Sequence, residues 1–144
     1  MKEIETQIEI NTNAEKVWAT LVGFKNYPGW NPFIKSVEGN AVVGETISIT
    51  IQPIEGKQMS FKPKILVRDV NEELRWKGKL GIGGLFDGEH YFKIIEQEEN
   101  LCLFVHGELF SGLLIPFMGK TLANAAKGFE LMNEALKERC EESV

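Results

Sequence analysis

The sequence predicts an α+β fold in which a curved antiparallel β-sheet wraps around one long C-terminal helix. Three observations carry this. Between Ile34 and Phe110 almost every segment alternates apolar and polar residues with the period of a strand, and only short turns separate the segments. From Met118 onward Met118, Leu122, Ala125, Phe129, Met132 and Leu136 recur at intervals of 4, 3, 4, 3 and 4, which is one face of a long helix. Near the N-terminus a single alternating strand runs directly into a short capped helix.

The elements follow in order. Ile4, Thr6, Ile8 and Ile10 alternate with Glu3, Glu5, Gln7 and Glu9, so the first strand buries one face. Thr12-Asn13-Ala14-Glu15 has the spacing of a capping box with Thr12 at the cap, and Val17, Trp18, Leu21 and Val22 continue at helical spacing to about Leu21 or Val22. Gly23 through Phe33 holds Tyr27-Pro28-Gly29 and Trp30-Asn31-Pro32, too many breakers for a long element. It reads as a folded loop or short helical turn with its rings packed inward. Strands are expected at Ile34–Glu38, Glu45–Gln52, Met59–Val70, Leu74–Leu80, Phe86–Glu96 and Leu101–Phe110, joined as a meander because the turns between them are short. No repeat, low-complexity tract or linker interrupts the chain, so residues 1–144 read as one domain.

Element length then constrains shape. At ~3.4 Å per residue, Met59–Val70 and Phe86–Glu96 would each span close to ~40 Å, against about 30 Å for the width of a domain this small. A strongly twisted sheet that bends lengthwise around the last helix resolves the mismatch, with Pro63 tolerated at a bulge or an edge. A sheet curved over one helix leaves a gap, and such a gap is where a ligand would sit. Alternation turns Ile47, Ile49 and Ile51 toward it, then Met59, Phe61, Ile65 and Val67, then Leu74, Trp76, Gly78 and Leu80, then Phe86, Gly88, His90, Phe92 and Ile94.

The last strand admits two registers. The favoured one has a two-residue turn at Glu98-Glu99, pairs Gln97 with Asn100, places Leu101, Leu103, Val105 and Leu109 inside, and points His106 and Glu108 to solvent. A one-residue bulge reverses every side chain and brings Phe104, His106, Glu108 and Phe110 inside, next to His90.

Composition excludes several classes. With 16 Lys and Arg against 21 Asp and Glu the net charge is −5, so a nucleic-acid backbone or an anionic membrane is repelled on average. Hydrophobic residues make up 43% of the 144, enough for a core, and no apolar run approaches the ~18 residues that a bilayer span needs. The N-terminal Met1-Lys2-Glu3-Ile4-Glu5 has no apolar h-region, and Cys102 and Cys140 stand far apart as free thiols; both suggest an unprocessed cytoplasmic protein.

Few residues carry chemistry. His90 on an apolar wall can orient a ligand or exchange a proton with it, although a core histidine satisfied by a local partner has the same pattern. His90 and Glu108 form an acid/base pair only in the bulged register. Gly81-Ile82-Gly83-Gly84 lies between strands and opens no helix, so it is not a phosphate loop. Two histidines and two cysteines without ligand spacing indicate no metal, and no nucleophile signature or cofactor motif is present. Lys62, Lys64, Lys77 and Lys79 read as a solubilising outer face.

The ordered set of strand, helix with Val17-Trp18, Trp30-Asn31-Pro32-Phe33, Phe86-Asp87-Gly88-Glu89-His90 and Phe110-Ser111-Gly112-Leu113-Leu114 before the last helix resembles the START-like (SRPBCC) superfamily. Within it the chain is similar to bacterial polyketide cyclase/dehydrase-like proteins. The resemblance covers essentially the whole chain and implies a helix-grip fold around a deep, mostly apolar cavity. Members bind lipids, sterols, polyketides or plant hormones, and some are cyclases or hydrolases. The resemblance supplies no catalytic residue.

Two functions remain open. In the first the chain binds or carries a small hydrophobic or aromatic molecule in a cavity lined by Trp30, Phe33, Met59, Phe61, Trp76, Phe86, His90, Phe92, Met118, Phe129 and Met132. In the second it is a cyclase/dehydrase-type enzyme with His90, alone or with Glu108, moving a proton. No cofactor, nucleic acid or stable membrane insertion is expected. The exposed sheet face leaves room for a homodimer, in which case the chain is an interaction module.

Overall fold

The computed structural model describes residues 1–79 and 83–142. Leu80 of the expected Leu74–Leu80 strand and Gly81-Ile82 of the glycine tract lie outside these residues. The chain runs β1 (Lys2–Ile10), α1 (Ala14–Val22), a 3-10 turn (Phe24–Asn26), α2 (Tyr27–Trp30), β2 (Ile34–Glu38), β3 (Ser48–Ile51), β4 (Met59–Phe61), β5 (Lys64–Asp69), β6 (Glu73–Lys79), β7 (Asp87–Glu98), β8 (Leu101–Ser111), a second 3-10 turn (Ile115–Phe117) and α3 (Gly119–Glu141). A five-stranded sheet in the order β1-β8-β7-β6-β5 and a three-stranded sheet β2-β3-β4 form the antiparallel wall that curves around α3.

Each departure from the sequence reading has a local cause. The expected strand Met59–Val70 breaks at Pro63, which has no N–H for a ladder and so ends one sheet and begins the other. The meander is thereby two sheets, not one. They stay stitched together, because Ile47 N donates to the Pro63 carbonyl at 2.9 Å and Ile65 N donates to the Glu45 carbonyl at 2.9 Å. At the first helix the cap is Asn13, not Thr12: Asn13 is extended, and its Oδ1 accepts from Lys16 N at 2.9 Å. The aromatic loop folds as short helical turns. Tyr27 is fully buried there and donates its hydroxyl to the Leu21 carbonyl at 2.5 Å.

The largest correction concerns β8. Glu98 pairs with Leu101 and Glu96 with Cys102, so the bulge sits at Gln97 and the turn moves one residue along from the favoured position. Cys102, Phe104, His106, Glu108 and Phe110 consequently share a face with His90, Phe92 and Ile94. Burial explains the preference: Phe104, His106 and Phe110 are buried, whereas the plain register would expose them and hide Leu101, Leu103 and Leu109, which stay half-buried outside. The outer face has its own lock. The Tyr91 ring lies across Gly107, where any Cβ would overlap it, and its hydroxyl contacts the Glu3 and Glu5 carboxylates of β1 at 2.7 Å each.

Helix α3 turns Leu122, Phe129, Met132, Leu136 and Cys140 inward, as the spacing predicts, and seats its last turn on the start of the chain through Asn11 N, which donates to Glu141 Oε2 at 2.7 Å. Gly128 sits where the helix meets the Phe33 ring, and a Cβ there would overlap that ring. Helix propensity alone would make Gly128→Ala stabilising by about 1 kcal/mol. Overlap reverses the sign, and chemical denaturation should show a loss of about 1–3 kcal/mol.

Candidate functional site

A cavity of about 240 Å³ lies between the sheets and α3. Its walls are mostly apolar: Phe33, Ile49, Phe61, Trp76, Phe110 and Phe129 contribute much of the lining. The β3–β4 connection, with Glu55 and Lys57, and the first turns of α3, with Thr121 and Asn124, frame the exposed side. A single ion pair crosses this frame among the described residues, Lys120 Nζ to Glu55 Oε2 at 3.8 Å, and it is too exposed to hold the two sides firmly.

At the cavity wall β7 and β8 present His90 and Glu108, which are directly paired across the ladder. His90 Nδ1 lies 3.2 Å from Glu108 Oε1, with the imidazole buried and the carboxylate partly open. Gly88, two residues before His90, makes room for this carboxylate, since a Cβ at Gly88 would overlap Glu108 Oε2. Behind them the polar contacts continue into the core. His90 Nε2 meets His106 Nε2 at 2.7 Å, His106 Nδ1 meets Asn133 Oδ1 at 2.8 Å, Asn133 Nδ2 donates to Thr6 Oγ1 at 2.8 Å, and Thr6 Oγ1 donates to the His106 carbonyl at 2.8 Å. Four elements, β1, β7, β8 and α3, thus meet at one polar line inside an apolar core.

Aromatic packing fixes the two imidazoles. His90 stacks on Trp76 with centroids 5.5 Å apart, His106 stacks on Phe129 at 4.3 Å, and Phe92 touches both rings from the sheet side at 4.8 and 4.7 Å. Burial, helped by the neighbouring His90, holds His106 well below the ordinary histidine range, and the hydrogen bonds to Asn133 and to the Phe129 backbone oppose this without overcoming it. His106 is therefore a neutral ring in the folded protein.

Of the cavity residues expected from sequence, Phe33, Met59, Phe61, Trp76, Phe86, His90 and Phe129 line the space, as does Glu108. Trp30, Phe92, Met118 and Met132 do not. Trp30 leans on Tyr27 with centroids 5.2 Å apart, Phe92 and Met132 are fully buried core beneath the lining, and Met118 is the half-buried residue before α3. His106, pointed to solvent in the favoured register, is completely buried. Thr6 and Asn133 were not expected at the site. A signal existed for both: Thr6 is the one polar member of the apolar set of β1, and Asn133 lies four residues after Phe129 on the buried stripe of α3. Cys102 and Cys140 are free and buried away from the cavity, and burial pushes both thiols up. Among the described residues no group of histidines, cysteines and carboxylates could hold a metal ion, and no helix is long and apolar enough to cross a membrane.

With this geometry in place the comparisons are informative. A family described as polyketide cyclase / dehydrase and lipid transport matches residues 1–141. The chain belongs to that family. Among solved structures it is similar to the Zhui aromatase/cyclase of a Streptomyces species (TM-score 0.79, 11% identity, covering 97% of this chain and 93% of that one). It is also similar to a START superfamily protein from Mycobacterium smegmatis (TM-score 0.75, 21% identity, 96% and 97% covered). A third is norcoclaurine synthase from Thalictrum flavum in complex with dopamine and hydroxybenzaldehyde (TM-score 0.73, 15% identity, 99% and 89% covered). At these identities the likeness concerns the fold. No curated protein matches the chain.

A neutral buried His106 has a measurable consequence. Unfolding frees it to take a proton near its ordinary value of 6.5, so the unfolded state binds more protons below that pH and stability falls on acidification. The slope from this group approaches ~1.4 kcal/mol per pH unit. Tm should therefore drop between about pH 7.5 and about pH 5.5, and a His106→Phe variant, whatever its absolute Tm, should show a shallower drop over that interval.

Proposed function

We propose that the protein binds a small, largely apolar aromatic molecule in the cavity, with one oxygen of the ligand directed at His90 and Glu108. The observation that carries this reading is the pairing of an aromatic, mostly apolar wall with one polar pair set into it, the usual division of labour between affinity and orientation in small-molecule sites. The family description, which joins cyclases and dehydrases to lipid transport, supports a hydrophobic ligand. Size narrows it. About 240 Å³ lies below the ~300–1,000 Å³ of drug-sized sites, which favours one or two rings over a sterol or a long acyl chain.

A specific observation also favours catalysis as a second reading. What supports it is the His90–Glu108 contact in a mostly apolar wall, since such a pair could pass a proton to or from a bound carbonyl compound. Members of the solved set named as an aromatase/cyclase and as norcoclaurine synthase share the fold, which makes such chemistry compatible with it. Binding is common to both readings.

Trp76 lies in the cavity wall, so a ligand that enters should change tryptophan emission. Titration with two-ring aromatic ketones should give saturable quenching, and Phe61→Ala, which removes lining, should weaken binding about tenfold or more with the fold retained by circular dichroism. Absence of saturable binding across a panel of aromatic ketones, fatty acids and sterols, together with no ligand in solvent extracts of the purified protein, would refute the reading.

A further inference from the structure

We propose that Thr6, Asn133 and His106 act as a one-way hydrogen-bond wire that fixes the ring tautomer of His90 and leaves a single exchangeable proton on the His90–Glu108 pair, so that the polar end of the cavity is a hydrogen-bond donor. This rests on the cavity reading above and adds to it which residues position the polar pair and which ligands that pair accepts.

The direction follows from counting protons along the line. Thr6 has one hydroxyl proton, and it goes to the His106 carbonyl at 2.8 Å. Its oxygen can then only accept from Asn133, so the amide nitrogen must face Thr6 and the amide oxygen must face His106. An amide oxygen cannot donate, so His106 Nδ1 carries a hydrogen. A neutral imidazole carries only one, and burial keeps His106 neutral, so its Nε2 is a bare acceptor. The contact of 2.7 Å between the two Nε2 atoms therefore requires the hydrogen on His90 Nε2. That settles one nitrogen of His90. Its other nitrogen, Nδ1, lies 3.2 Å from Glu108 Oε1, within ion-pair range. An ion pair at that contact puts one further proton on His90 Nδ1, imidazolium beside carboxylate. As an ion pair the two side chains carry no net charge together.

The surroundings let this proton matter to a ligand. Trp76 and Phe92 from the sheet and Phe129 from α3 enclose His90, and His106 and Glu108 are the titratable groups in contact with it. Glu55, Lys57 and Lys79 line the cavity farther along its wall. A neutral ligand oxygen, such as that of an aryl ketone, can accept from the pair at no cost in charge. A carboxylate at the same point sets a second anion beside Glu108, with Lys57 and Lys79 only farther along the wall, which is costly. Asn133 and Thr6 touch no part of the cavity, so they are positioning residues that act through His106.

Long-range proton–nitrogen correlation spectra of the intact wild-type protein read the wire directly. Expected is a protonated Nδ1 and a bare Nε2 for His106, with a protonated Nε2 for His90. A protonated Nε2 on His106 would overturn the proposal, with or without any variant. Asn133→Asp keeps the acceptor facing His106 but adds a charge that favours imidazolium there. The wire should then reverse, with His106 protonated on both nitrogens and His90 bare at Nε2. A folded Asn133→Asp protein with unchanged histidine nitrogens would also overturn it. Ligand choice separates this inference from the reading beneath it. Of two compounds with one skeleton, 2-acetylnaphthalene should bind about tenfold or more tightly than 2-naphthoate near neutral pH. Tighter binding of the naphthoate would refute the wire and leave the cavity reading standing, whereas failure of the whole panel above to bind would refute the cavity reading, with the nitrogen spectra still deciding the wire.

Discussion

The register between β7 and β8 is the constraint on which the rest of the molecule depends. One unpaired residue, Gln97, decides which half of an eleven-residue strand faces α3. Because the side-chain period in a strand is two, there is no intermediate choice. With the bulge, β8 supplies two buried phenylalanines, a buried histidine and the cavity carboxylate. Without it, the same strand would supply leucines and a valine, and His90 would have no carboxylate beside it at the cavity wall. The preference is an ordinary matter of apolar area, reinforced from outside by the Tyr91 ring seated on Gly107.

The polar line that β8 introduces is placed where a protein core tolerates it least. Buried polar groups must be satisfied in full or they destabilise. Here β1 contributes a hydroxyl and α3 an amide, each at a position whose neighbours on the same face are apolar. The line therefore does structural work as well, since it specifies how β1, β8 and α3 sit relative to one another in a way that leucine and isoleucine packing could not. The grip of the sheet on the helix is apolar in bulk and polar in register.

Much of this was legible in the sequence. Period and turn chemistry located β1, α1, β2, β6 and α3 to within a residue or two, and the order of motifs pointed to the family. Pro63 was seen as a disturbance, although the divided sheet it produces depends on pairing with Glu45 and Ile47, which no local pattern announces. Alternation correctly put His90 on the inner face. It could not decide β8, because a bulge costs no residue type: both faces of Leu101–Phe110 are apolar enough to be buried. The cavity lining failed in a different way. Trp30, Phe92, Met118 and Met132 are large and inward by pattern, but pattern distinguishes inside from outside and not lining from the layer beneath it.

The bulge also shows how a scaffold of this kind can change its chemistry without changing its outline. Removal of one residue from the β7–β8 hairpin would replace Glu108 and the inward phenylalanines of β8 by leucines and a valine, with His90 kept on β7 and every element in place. Substitutions at several inward positions would be needed to reach the same end. In such a fold, then, the length of a hairpin is a determinant of ligand polarity, and relatives that differ by a single insertion there need share no ligand even where their cavities coincide.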